Sequence, residues 1–141
     1  DIFKRKCDSF IEKSHLCKFS LEEAQLLSGK KDLKEACQVL HEKGTEIIVI
    51  TLGSEGTWLS TKKFQKTIPS IKVTPKDTTG AGDAFIGCLL QQIAKHSSID
   101  ALLADESILT NMVARANKAG AITTTNFGAI ESLPTLQQLD S

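Results

Sequence analysis

Strand-like and helix-like stretches alternate along this chain, and that alternation limits its fold more than any other feature. The clearest strand is Ile47-Ile48-Val49-Ile50, a β-branched run. Leu16 to Phe19 is short and apolar enough for a buried strand. Thr57 to Ser60 and Phe64 to Ile68 predict two short antiparallel strands, with Ile71 to Thr74 as their continuation, and Ala121 to Thr125 predicts a last strand. Phe3, Cys7, Phe10 and Ile11 recur at helical spacing, so residues 1–14 read as an amphipathic helix. Ser20 opens a second helix, with Glu23 three residues on, and Gly29 closes it. Leu33, Ala36, Cys37 and Leu40 mark a third, ended by Gly44. Ala84 to Ile93 and Ala101 to Lys118 carry two more. Such alternation argues for an α/β fold with a largely parallel sheet.

Composition removes several function classes. Lys+Arg and Asp+Glu are both 17, so the formal net charge is zero and the basic excess of a nucleic-acid binder is missing. No apolar run has the roughly 18 residues of a membrane span, and no Lys/Arg-led apolar start predicts a signal peptide. The four cysteines (Cys7, Cys17, Cys37 and Cys88) form no C-x-x-C pair, and the three histidines are scattered, which argues against zinc. Buried free thiols in a reducing compartment are expected, with a cytoplasmic location as the default. The chain does not begin with Met and opens inside a helical pattern, so a piece of a longer protein is expected.

The chemistry lies in Asp77-Thr78-Thr79-Gly80-Ala81-Gly82-Asp83, just where a loop becomes a helix. Small residues let a ligand approach the backbone, and a helix start offers unpaired N–H groups and a positive dipole end: an anion site. No Walker loop occurs, and the dinucleotide fingerprint is incomplete. Asp83 has two readings. It suits a helix N-terminus electrostatically, and beside an anion cradle it is placed to act as general base toward a hydroxyl while the amides hold a transferring phosphoryl group.

These residues, with Ala84-Phe85, resemble the second signature of the PfkB, or ribokinase-like, carbohydrate kinases. Thr51-Leu52-Gly53-Ser54-Glu55-Gly56 resembles the nucleotide-proximal turn of that family. Ala116-Asn117-Lys118-Ala119-Gly120-Ala121, continuing through Gly128-Ala129-Ile130 to Leu133-Pro134, is similar to the C-terminal end of its fructokinases. The resemblance runs from about residue 16 to residue 135. It implies a ribokinase-like three-layer α/β/α sandwich, represented by its C-terminal nucleotide-binding half with a mostly parallel sheet, as a single partial domain over residues 1–141.

The same resemblance implies the roles. Asp83 would be the catalytic base, with Gly80, Ala81 and Gly82 supplying the anion hole. Thr51, Gly53, Gly56 and Gly120 would line the ATP site, with Asn117 near the adenine. A monovalent cation, K+, would sit by Asp77 and Thr79, with Asn126, Gly128 and Ser132 as further ligands. The wider family carries Asn-x-x-Glu near Mg2+; here the residues are Ser20-Leu21-Glu22-Glu23. Glu23 is therefore either a water-mediated magnesium ligand or simply half of a capping box with Ser20.

The implied reaction is ATP-dependent phosphorylation of a sugar hydroxyl, fructose foremost. Another sugar or nucleoside acceptor, or a non-catalytic fructokinase-like scaffold, are the other readings. The family's glycine-rich first signature, most sugar contacts and its lid (which often builds a homodimer) are not found in this sequence. An exposed strand edge and an inactive isolated fragment are thus expected. Trp58 reads as packing rather than nucleotide stacking, and Lys62, Lys63 and Lys66 as solvated surface rather than phosphate guides.

Overall fold

The computed structural model describes residues 2–96, 98–128 and 133–141. In chain order the elements are α1 (Ile2–Lys13), β1 (Leu16–Ser20), α2 (Leu21–Ser28), α3 (Leu33–Glu42), β2 (Ile47–Thr51), a 3-10 turn (Gly53–Glu55), β3 (Thr57–Ser60), β4 (Gln65–Ile68), α4 (Ala81–Ile93), α5 (Ile99–Ala104), α6 (Glu106–Thr123) and α7 (Leu136–Asp140). They divide into two compact units, residues 1–52 with 58–67, and residues 53–57 with 68–141.

The first unit is built on the sheet. Strand order is β1-β2-β3-β4, and β1 runs parallel to β2 with Leu16 opposite Ile47 and Ser20 opposite Thr51. Thr61 N–H donates to Phe64 C=O at 2.9 Å and closes the β3–β4 hairpin, so the sheet is mixed rather than mostly parallel. All four residues Ile47 to Ile50 are fully buried, as a strand covered on both faces requires. Ile48 and Ile50 meet Ile11, Phe19, Leu27, Cys37 and Leu40 in one cluster, against which Trp58 packs half-buried. The Trp58 Nε1 is buried and has no hydrogen-bond partner among the described residues.

His41 is buried and joins α3 to β3: Nδ1 lies 2.9 Å from Thr45 C=O and Nε2 2.8 Å from Ser60 Oγ. Burial pushes its pKa below the ordinary 6.5, so the ring is neutral, with Nδ1–H donating and Nε2 accepting the Ser60 hydroxyl. All four cysteines are free. Cys37 and Cys88 are buried, and burial raises both thiols. Cys7 and Cys17 are only half-buried, against expectation: they pack against the core cluster but line an open groove beside α1, α2 and β1.

The second unit centres on α4 and α6, where Phe85 and Leu89 of α4 and Leu109, Met112, Val113 and Ala116 of α6 are buried. The single helix expected over 101–118 is two. Asp105 adopts extended backbone and caps α6, its Oδ1 accepting from the N–H groups of Ser107 and Ile108. The last strand expected over 121–125 is the end of α6 and its turn. Its β-branched threonines are accommodated because Thr123, Thr124 and Thr125 each return a hydroxyl hydrogen bond to a carbonyl three or four residues back. Ile71 to Thr74 form no strand: they are exposed and irregular, between Pro69 and Pro75. α7 was not expected. Its signal was Thr135 followed by Gln138, which form a capping box.

Candidate functional site

Gly80 sits at φ 79°, the left-handed region, and is the N-cap of α4. A residue with a Cβ disfavours that conformation, so glycine there lets the loop turn into the helix within one residue. Ala81, Gly82 and Asp83 then form the first turn. The Ala81 N–H closes a turn onto Thr78 C=O at 3.2 Å, whereas those of Gly82 and Asp83 have no acceptor among the described residues. Of the expected donors, the Gly80 and Gly82 N–H groups have no acceptor among the described residues and that of Ala81 is engaged, while the Asp83 N–H adds a further open amide. The Asp83 side chain is exposed and makes no hydrogen bond or ion pair among the described residues. A carboxylate and two unpaired amides thus share one helix start, a donor set that fits phosphoryl oxygens and an alcohol proton.

Two glycines assigned to the nucleotide site are also required by close packing. A Cβ on Gly120 would lie 3.1 Å from Ala81 C=O, so the missing side chain lets α6 touch the first residue of α4. A Cβ on Gly56, at φ 106°, would fall 2.1 Å from Ile68 C=O. Gly53 differs: it has φ 61°, is exposed, and has nothing within 4 Å of an added Cβ, so its outer side is open to a ligand.

Asn117 also has a different task from the expected one near adenine. It is buried, its Oδ1 accepts the Thr57 hydroxyl at 2.6 Å, and its Nδ2 donates to Ile68 C=O at 2.9 Å and Pro69 C=O at 3.4 Å. One side chain on α6 therefore clamps the residue after Gly56 to the end of β4.

Asp77 joins two loops. Oδ1 accepts from Thr79 N–H at 2.9 Å and Oδ2 from Gly128 N–H at 3.0 Å, and the Lys76 and Asp77 N–H groups both reach Thr124 C=O. The Thr79 side chain beside it, with the Gly128 and Thr79 amides, holds its carboxyl below the usual carboxylate range. Asp77, Thr79 and Gly128 are thus brought together. Asn126 is exposed on the same loop, and Ser132 lies outside the described residues. The oxygen donors present suit a hard cation such as K+.

In the first unit, Thr51 and Ser20 are register partners at the carboxyl ends of parallel strands, where α/β sheets place ligands. Ser20 caps α2: its Oγ accepts Glu23 N–H at 3.2 Å, and Glu23 Oε2 accepts Ser20 N–H at 2.7 Å. The capping box is therefore real. It leaves Oε1 of an exposed carboxylate for a hydrated Mg2+, so the two roles read from the sequence are compatible.

A profile of the pfkB family carbohydrate kinases matches residues 1–136. Fructokinase-1 of Zea mays is 40% identical over 128 residues, which are 90% of this chain and 39% of that enzyme. A fructokinase double mutant from Vibrio cholerae O395, solved with fructose, ADP and potassium ion bound, superposes with TM-score 0.88 at 31% identity, covering 97% of this chain and 43% of that one. Aminoimidazole riboside kinase from Salmonella enterica, complexed with aminoimidazole riboside and an ATP analogue, gives TM-score 0.86 at 31% identity, over 98% and 45%. The chain spans less than half the length of each of these three relatives. No helix among the described residues is long and apolar enough to cross a membrane.

Proposed function

The chain belongs to the pfkB family of carbohydrate kinases, and from that premise we propose that it is the C-terminal, nucleotide-binding and catalytic half of an ATP-dependent fructokinase. The observation that carries this reading is the start of α4, where two unpaired amides and the unpaired Asp83 carboxylate stand together. Asp83 takes the proton from a primary hydroxyl of the sugar as that oxygen attacks the γ-phosphorus of ATP. The Gly82 and Asp83 amides, with the α4 dipole, stabilise the charge on the equatorial oxygens. Gly53 and Thr51 border the nucleotide. Glu23 would hold Mg2+ through water, and Asp77, Thr79, Asn126, Gly128 and Ser132 would hold K+ beside the anion hole, each ion supplying positive charge to the phosphates. The potassium bound in the Vibrio relative supports the last assignment. The sugar pocket, the lid and a homodimer interface belong to the other half, and the location is cytoplasmic.

The test joins this chain to the part of the maize enzyme that it does not match. Asp83→Asn in that chimera lowers kcat by about 10²–10⁴ with KM for ATP changed far less. Near-normal turnover removes Asp83 as the base. A nucleoside-like acceptor is the second reading, supported by the likeness to the Salmonella riboside kinase. Assays of the complete open reading frame with fructose and with aminoimidazole riboside decide between them.

A further inference from the structure

Ala81, Phe85, Cys88 and Gln92 recur at helical spacing along α4 and form one stripe, of which Gln92 is the only polar member. The two ends of the stripe meet α6 in different ways. At the start, Gly120 of α6 lies against Ala81, where an added Cβ would stand 3.1 Å from its C=O and 3.8 Å from Phe85 Cβ. At the far end, Gln92 Nε2 donates across to Met112 C=O of α6 at 3.0 Å, and to Cys88 C=O of its own helix at 3.3 Å. The later α4 residue meets the earlier α6 residue, so the two helices run antiparallel. Between these points the buried side chains are apolar: Phe85, Cys88 and Leu89 on α4, Met112, Val113 and Ala116 on α6. Apolar burial is non-directional and holds two helices together without specifying where one lies along the other. A hydrogen bond is directional and supplies that register.

We propose that Gln92 is a positioning residue for phosphoryl transfer: its bond to Met112 C=O fixes α4 along and about its own axis, and so places the Gly82 and Asp83 amides and the Asp83 carboxylate. The proposal goes beyond the kinase reading above and rests on it for the reaction. Asp83 follows Ala81 by two residues, about 200° round the helix, so it looks away from α6 and is exposed. With no hydrogen bond or ion pair of its own among the described residues, its place is set by the helix that carries it. A regular helix transmits an axial shift along its length, and nine residues, about 14 Å, separate Gln92 from Asp83. A reacting group misplaced by about 1 Å costs on the order of 10²-fold in rate, so a small slip at Gln92 has a kinetic signature.

The experiment measures kcat and KM on the protein from its complete open reading frame. Gln92→Met keeps the length of the side chain and cannot donate. It lowers kcat by about fivefold or more, with KM for ATP within about twofold, at a temperature well below its melting point. A merely structural glutamine lowers the melting temperature and leaves kcat of the folded enzyme in place, so a smaller fall in kcat overturns the proposal. Gln92→Lys regains a donor with the reach to meet Met112 C=O and returns kcat to within about twofold of the parent. A lysine variant that stays slower shows that this hydrogen bond does not set the geometry. The amide resonances of the 141-residue chain give a readout that needs no turnover. Gln92→Met moves those of Gly82 and Asp83, whereas changes confined to the end of α4 and the facing turn at Met112 refute the positioning role. A complete protein that phosphorylates no sugar sinks the kinase reading, and the Gly82 and Asp83 resonances then decide alone whether Gln92 places the start of α4.

Discussion

Replacing Asn117 by alanine tests whether the nucleotide-side turn is held from behind. The side chain closes two well-formed hydrogen bonds, to the Thr57 hydroxyl at 2.6 Å and to Ile68 C=O at 2.9 Å. Thr57 is fully buried and Ile68 is 4% exposed, so water does not replace the lost partner. Each orphaned buried group costs about 1–3 kcal/mol, which puts Asn117→Ala near 2–5 kcal/mol. At this chain size a kilocalorie moves the melting temperature by about 3–5 °C, so a fall of about 6 °C or more is expected in calorimetry. Thr57→Val supplies the second corner of a double-mutant cycle. In that background the alanine costs less, because one of its two orphans has already been removed. Asn117→Asp keeps the acceptor for Thr57 but sets a carboxylate against Ile68 C=O, so it is at least as damaging as alanine. A melting temperature within 2 °C of the parent, with no coupling in the cycle, refutes the clamp and returns Asn117 to the nucleotide.

The two turn glycines separate by the same method. Gly56→Ala drives a Cβ into Ile68 C=O and costs about 3 kcal/mol or more by denaturant unfolding, whereas Gly53→Ala meets open space and costs only the left-handed backbone, about 1–2 kcal/mol. Ser20→Ala removes the cap of α2 and lowers stability by about 0.5–2 kcal/mol, read from the urea midpoint at constant slope. The neutral, buried His41 makes stability depend on pH. Its folded pKa lies below the ordinary 6.5, so below 6.5 the unfolded chain takes up the proton first and stability is lost as pH falls toward the folded value. That part of the pH slope vanishes in His41→Gln, and a His41→Gln variant with the parent's slope between pH 7 and 5 contradicts the assignment.

Local hydrogen bonding explains what could be read from the chain without coordinates. The Ser20–Glu23 box and the Gly29 stop each satisfy backbone groups within four residues, and the left-handed Gly80 start needs a glycine, so their residue types announce them. The β-branched run at Ile47 is equally plain, because a strand covered on both faces can carry nothing else. The same locality misled at the end of α6. Three successive threonines look like strand, but their hydroxyls return to carbonyls of a helix already anchored by its packing on α4, and tertiary contact overrides propensity.

The site residues divide along the same line. Asp83 and Gly80 act through their own turn, and their positions follow from sequence. Asn117, Gly120 and Gly56 owe theirs to partners 49, 39 and 12 residues away, at Ile68, Ala81 and Ile68, and no local pattern encodes such pairs. A family pattern marks these three as part of a nucleotide site, yet their geometry makes them the frame that positions it. The distinction has a measurable form. Frame substitutions lower the melting temperature of the apo chain by many degrees along with any loss of ATP affinity, whereas Asp83→Asn costs only its helix-dipole interaction, about 0.3–1 kcal/mol, because its carboxylate makes no other contact among the described residues. An Asp83→Asn chain that melts as far below the parent as a frame variant shows instead that this carboxylate supports the start of α4.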